Sequence, residues 1–247
     1  MKLLALALAV CGTLPATDYF AYTGTYTRGA SKGIYLFRFQ SSSGKFSPAG
    51  IAAETPNPAF LAVHPNRRIL YAVHEGGSAG SSVTAFTIDP KTGKLAELNT
   101  VPSGGAGPTY LSLDHSGRHL LVANYAGGSI AALPVLADGR LGPASDVKKS
   151  AGNVGPKRAT NAPPGSFAIS GHDAPHAHQA ETDPAGNFVL VSDLGTDRIY
   201  VYRLNKDSGK LTPADTPFMQ ASLGAGPRHF SFHPNGRLAY TITEEAS

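Results

Sequence analysis

Tryptophan is absent from the 247 residues, cysteine occurs once, at Cys11, and charged residues make up only 15% of the chain. A single cysteine excludes an intramolecular disulfide framework and leaves little room for thiol chemistry. There is no run of lysine or arginine, and the net charge of +4 is mild, so the clustered basic footprint of a nucleic-acid-binding protein is missing. Small anionic ligands remain compatible with that balance. Beyond the N-terminus no segment is apolar over enough residues to span a bilayer. No amphipathic helical stretch of useful length occurs either. The glycine-rich stretches GGAGPT and LGAGPR open no helix and carry no P-loop signature, which excludes a phosphate loop.

What is abundant is turn chemistry: 28 glycines and 19 prolines indicate many short strands rather than long helices. The first sixteen residues stand apart. Lys2 precedes the apolar stretch Leu3 to Val10, and Ala16 offers a small residue for cleavage, so residues 1–16 are expected to be a secretory signal peptide. A lipoprotein signal ending at Cys11 is the alternative, against which Val10 is bulky, and a buried N-terminal strand is another. Export without disulfides points to a bacterial periplasm or exterior.

Internal repetition is the strongest signal in the chain. Four segments align: NPAFLAVHPNRRILYAVHE (57–75), GPTYLSLDHSGRHLLVANY (107–125), AHQAETDPAGNFVLVSDL (177–194) and GPRHFSFHPNGRLAYTITE (226–244). Pro58, Pro108, Ala177 and Pro227 share one register, spaced 50, 69 and 50 residues apart. The long interval contains an additional stretch, roughly 148–166, rich in Gly, Pro, Lys and Ala. Each segment reads as strand, tight turn, strand, with His-Pro-Asn or Asp-led turns. Two further strands follow, such as SSVTAFTID (81–89), GSIAALPVL (128–136) and RIYVYRLN (198–205), and then a short last strand. Four antiparallel strands in a unit of about fifty residues make a propeller blade. Residues 17–50 match the second, third and fourth strands of a blade, and the chain stops after the second strand of another. The expectation for residues 17–247 is an incomplete, all-β propeller: three full blades and two partial ones, with open edges.

In a propeller the innermost strands line a central channel. The residues opening those strands are Ala59, Thr109, His178 and Arg228, and the ends of the antiparallel second strands, Glu75, Tyr125, Leu194 and Glu244, return to the same face. Arg228 and the following His229 stand out as a pair, because the corresponding residues of the other repeats are read as small or apolar. The long insertion is expected to bring Lys157 and Arg158 to that mouth. His176 and His178, two apart in a strand, are expected on one side. With His172 and Asp173 they form an alternative metal-binding group. His64 and His233 are read as turn residues, and His115 and His119 as surface residues.

The pieces YTGTYT, GIYLFRF, NPAFLAVHPN, LLVANYAGGSIAALPV, PHAH, DLGTDRIYVYRL and GPRHFSFHPNGRLAY closely resemble the seven-bladed lactonase family, which includes propeller-type 6-phosphogluconolactonases and fungal carboxy-muconate cyclases. The likeness runs from about Tyr19 to the last residue. It implies seven blades in the full protein, of which about four and a half are present here. It also implies a carboxylic-ester hydrolase opening a sugar lactone, with 6-phosphogluconolactone giving 6-phosphogluconate as the leading substrate in carbohydrate metabolism. Such chemistry needs an activated water and donors for the developing oxyanion. The resemblance places the catalytic His, Arg and Glu on His176 or His178, Arg228 and Glu244. Lys157, Arg158, His229 and Glu75 are then assigned to binding an anionic or neutral lactone. No metal and no cofactor is implied, nor any nucleic-acid partner or membrane span. The export signal sits uneasily with a phosphorylated sugar. An unphosphorylated lactone, a non-catalytic ligand-binding or scaffold propeller, and a cyclase-like enzyme are the alternatives.

Overall fold

The computed structural model describes residues 18–76, 80–157 and 171–246. The expected signal peptide, its cleavage point and Cys11 lie outside them. Every regular element among the described residues is a β-strand, and the strands form five sheets. The first has three strands, β1 (Asp18–Thr23), β2 (Gly33–Gln40) and β3 (Lys45–Glu54). Three four-stranded sheets follow. They are β4 (Pro58–Val63), β5 (Ile69–His74), β6 (Ser82–Ile88) and β7 (Leu95–Pro102); β8 (Pro108–Leu113), β9 (His119–Asn124), β10 (Ser129–Pro134) and β11 (Asp146–Lys149); and β12 (Ala177–Thr182), β13 (Phe188–Asp193), β14 (Arg198–Leu204) and β15 (Leu211–Gln220). The last sheet is the hairpin β16 (Pro227–Phe232) and β17 (Ala239–Thr243). All pairings are antiparallel between chain neighbours, as in propeller blades, so the three full blades and two partial ones read from the repeat are present.

The period-2 alternation of strands explains how the sheets stack. On β5, Leu70 and Ala72 face the first sheet and meet Ile34 and Leu36, whereas Tyr71 and Val73 face the third and meet Leu120 and Val122. On β9, Leu121 and Ala123 in turn face the fourth sheet and pack with Val191 and Tyr200. A strand covered on both faces is apolar over most of its length, and β5 and β9, buried end to end, carry polar side chains only at His74, His119 and Asn124 apart from the Tyr71 hydroxyl. The first strands β4, β8, β12 and β16 are neighbours in space and form the inner wall.

The turns behave as the sequence suggests. His64 Nδ1 accepts the Asn66 amide and His233 Nδ1 that of Asn235, the work done by Asp114 and Asp183 in the other two repeats. His115 is exposed, but His119 is a correction: it is buried. It opens β9, its amide is bonded to Asp114, and its ring lies against the β14–β15 turn at Gly209 of the next sheet.

Tyr71, wholly buried, donates its hydroxyl to Gly139 O across two sheets at 3.0 Å. Tyr71→Phe is expected to lower unfolding free energy by about 1 kcal/mol, and Tyr71→Ala by about 3–5 kcal/mol. Urea unfolding measures both. Equal stability of the two variants would contradict this packing of sheet on sheet.

Candidate active site

The site is made by one device, repeated. The residue after each second strand, Glu75, Tyr125, Leu194 or Glu244, donates its amide to the carbonyl of the residue before the inner strand, Asn57, Gly107, His176 or Gly226. Three of those carbonyl residues have positive φ: Asn57 at 42°, Gly107 at 61° and Gly226 at 64°. That is a left-handed conformation suited to glycine and tolerated by asparagine. The pairing of inner and second strands then skips one residue in every repeat. Pro58 pairs with His74 and Phe60 with Val73, leaving Ala59 over; the same shift leaves over Thr109, His178 and Arg228. Such bulges bend a strand and re-aim the extra side chain.

All four bulged residues line one cavity of about 300 Å³. Glu75, Tyr125 and Glu244 from the second-strand ends join them, with Tyr26 from the loop after β1 and with Phe60 and His229 one step further along the inner strands. Leu194 is fully buried outside it. His176 precedes β12 and does not line the cavity. Because His178 is the bulged residue, strict alternation does not govern the pair: His176 stacks on Tyr125 with centroids 4.2 Å apart, while His178 meets the same ring edge-on at 5.9 Å. The nitrogens of His176 face Tyr125 O and Asp173 Oδ1. Lys157 is exposed and not part of the wall, since its segment runs beside the β13–β14 turn, where Gly155 bonds Gly195 O. Arg158 lies outside the described residues.

Charge within the wall is largely paired. Arg228 Nε meets Glu244 Oε2 at 2.7 Å, and the Tyr26 hydroxyl donates to Glu75. Burial, reinforced by the Arg228 guanidinium and His229, pushes the His178 imidazole down to about 3. Burial and Arg228 also lower His229, so both rings are neutral at pH 7. Burial, with Glu244 nearby, raises the Tyr125 phenol to about 12. Two buried atoms of the wall, Thr109 Oγ1 and His178 Nδ1, have no hydrogen-bond partner among the described residues.

Behind the wall sits a feature that sequence reading missed. His172, Asp197 and Glu245 have fully buried side chains, with His172 Nε2 at 2.9 Å from Asp197 and His172 Nδ1 against Glu245. Asp197 also accepts the Gly224 and Gly226 amides, and Glu245 that of Gly171. These bonds tie the segment before β12 to the segments flanking the last hairpin, next to Glu244. They also disperse the alternative metal group: His172 and His176 are committed to different partners. Among the described residues no group of three or more His, Cys, Asp or Glu is arranged to hold a metal ion. No helix among them is long and apolar enough to cross a membrane.

A family model described as lactonase, 7-bladed beta-propeller, matches residues 20–247. A 6-phosphogluconolactonase of Bacillus subtilis is 36% identical over 229 residues, covering 92% of this chain and 60% of that protein. A 6-phosphogluconolactonase of Formosa agariphila is 28% identical, covering 90% and 61%. The solved structure of the periplasmic gluconolactonase of Pseudomonas aeruginosa superposes with a TM-score of 0.76 at 34% identity, covering 92% of this chain and 62% of that one. The chain thus spans about three fifths of the length of the relatives it matches.

The depressed His178 basicity has a consequence for stability. Between pH of about 6.5 and about 3 the unfolded chain protonates this ring and the folded chain does not. The unfolded state then holds more protons, so stability falls as pH falls through that window, by up to about 1.4 kcal/mol per pH unit. His178→Gln is expected to flatten this acid-side slope in melts run from pH 7 to pH 4. Identical slopes for variant and parent would contradict a buried, neutral His178.

Proposed function

The chain belongs to the seven-bladed β-propeller lactonase family, and we propose that the cavity at the channel mouth hydrolyses a sugar lactone. The observation that carries the reading is convergence. One guanidinium–carboxylate pair and two neutral imidazoles meet in one cavity, at or beside the bulged positions of consecutive blades. Arg228, oriented by Glu244, supplies donors to the lactone carbonyl as negative charge develops on its oxygen. A neutral imidazole takes the proton of the attacking water. The ester bond to the ring oxygen breaks, that oxygen is protonated, and the product is the open hydroxy acid. The His178 ring and Thr109 shape the wall against which the sugar lies, and His176 steadies the Tyr125 ring that His178 leans on. Lys157 and Arg158 keep, in this reading, their assignment to binding an anionic lactone.

The leading substrate is 6-phosphogluconolactone, the activity named for the Bacillus subtilis relative. A second reading, an unphosphorylated lactone outside the cytoplasm, is favoured by a specific observation. Arg228 is already paired, and Glu75 adds a second carboxylate, so the described wall suits hydroxyl groups better than a phosphate. Residues 1–16 as an export signal fit that reading, as does the periplasmic gluconolactonase relative. The five sheets are taken as consecutive members of a larger ring. The large apolar side chains exposed on the first and last sheets, Phe46, Tyr240 and Ile242 among them, fit neighbours on both sides.

Lactone disappearance, measured on the full-length protein with phosphorylated and neutral gluconolactones, tests the proposal. Arg228→Ala is expected to lower turnover about 10²–10³-fold, and His178→Ala to weaken binding, while His64→Ala in its distant turn stays near the parent rate. If Arg228→Ala folds and keeps full activity, the site is elsewhere. If the parent opens neither lactone, a ligand-binding propeller is the better description.

A further inference from the structure

Just beneath the bulged layer lies a second one, of Phe60, Tyr110, Gln179 and His229. Its polar members form a network whose directions are fixed. The Gln179 side chain is buried and meets four groups: Glu181 Oε2 at 2.8 Å, Phe230 O at 3.0 Å, the Phe230 amide at 2.9 Å and His229 Nδ1 at 3.0 Å. Glu181 and Phe230 O are acceptors, so they take the two Nε2 protons, which leaves Oε1 facing the Phe230 amide and His229. An amide oxygen only accepts. His229 Nδ1 must therefore carry the proton and donate, and in the neutral ring the lone pair resides on Nε2.

We infer that His229 is the general base that activates water in this cavity, and that Gln179 is the positioning residue that fixes its tautomer and ring plane. The inference rests on the lactonase reading above and assigns its proton-accepting step. His229 lines the cavity beside Arg228, and its ring meets the His178 edge with centroids 4.8 Å apart. A base needs a lone pair held at a fixed place near the electrophile, and the second nitrogen bonded to an orienting group. His229 meets both conditions. His178 meets neither: its Nδ1 has no partner among the described residues, and burial makes the ring a weak base. The charged and titratable groups facing His229 are Arg228 on its own strand, Glu244 just after β17, His178 on β12 and Tyr110 on β8. Arg228 and burial lower its basicity and Glu244 raises it, and Glu181 acts only through Gln179. In the step itself, water gives one proton to His229 Nε2 as its oxygen bonds the lactone carbonyl carbon. The imidazolium then returns that proton to the departing ring oxygen, which balances hydrolysis with no further reactant.

The test joins kinetics with long-range ¹H–¹⁵N NMR of ¹⁵N-histidine-labelled full-length protein. His229 is expected to show the Nδ1–H tautomer at neutral pH. His229→Gln is expected to lower kcat about 10²–10⁴-fold with KM little changed, and added imidazole should restore part of the rate of His229→Ala. The exchange Gln179→Glu with Glu181→Gln keeps one carboxylate in the network but sets it against His229 Nδ1. It should raise the acid limb of the kcat/KM–pH profile by about one unit or more. A folded His229→Gln enzyme at full rate overturns the base assignment, as does an acid limb unmoved by the exchange. An Nε2–H tautomer in the parent overturns the role of Gln179 whatever the activity. A parent protein that shows the Nδ1–H tautomer and opens no lactone instead sinks the lactonase reading, and the base assignment falls with it.

Discussion

At the mouth of the channel each repeat closes a backbone bond between the end of its second strand and the residue before its first. The chain turns left-handed to present that carbonyl at Asn57, Gly107 and Gly226, whereas His176 presents it without such a turn. Once the bond is made, one residue of the inner strand has no partner and is pushed out of register. The sheet supplies the rigidity and the bulge supplies the direction, so a side chain at that position enters the mouth whatever its identity. Alanine and threonine there leave space; histidine and arginine provide chemistry. Function is placed on the scaffold by choice of residue at a position that the fold has already aimed.

The polar groups around the mouth are held by other polar groups rather than by packing alone. Position equivalents of one buried site show this well. His74, Asn124 and Asp193 close their second strands, and each bonds the segment leading into its own blade: Pro56 O, Ser103 O and the His176 amide. The His172–Asp197–Glu245 group extends the pattern to full charges. Buried charges are tolerated only when paired and hydrogen-bonded, and Asp197 and Glu245 reach that state by gathering backbone amides from several segments. A structure that depends on those bonds keeps Glu244 and Arg228 within a narrow range of positions.

Much of this was legible in the residues. The register of Pro58, Pro108, Ala177 and Pro227 gave strands, turns and sheets, because period-2 burial and turn chemistry are local. Comparing equivalent positions also singled out His178, Arg228, Glu75 and Glu244, since a channel-lining position varies where a structural one does not. The bulges were not legible: a one-residue slip in pairing leaves no mark in composition, and it invalidates the alternation that put His176 beside His178. Gln179 was missed because a polar residue in a strand carries no sign of what it bonds across a sheet boundary. His119 was misread as exposed because the turn that covers it lies some ninety residues further along the chain, at Gly209. Lys157 was expected at the mouth because its insertion feeds an inner strand there, and that connection does not fix which way the inserted segment runs.

The most direct test of the account is a crystal structure of the full-length protein with a hydrolysis-resistant gluconolactone analogue. The analogue is expected at the channel mouth, its carbonyl-mimicking atom about 3 Å from the Arg228 guanidinium, with the sugar lying against His178 and Thr109. An analogue bound away from the bulged residues, with the Arg228–Glu244 pair untouched, would contradict it.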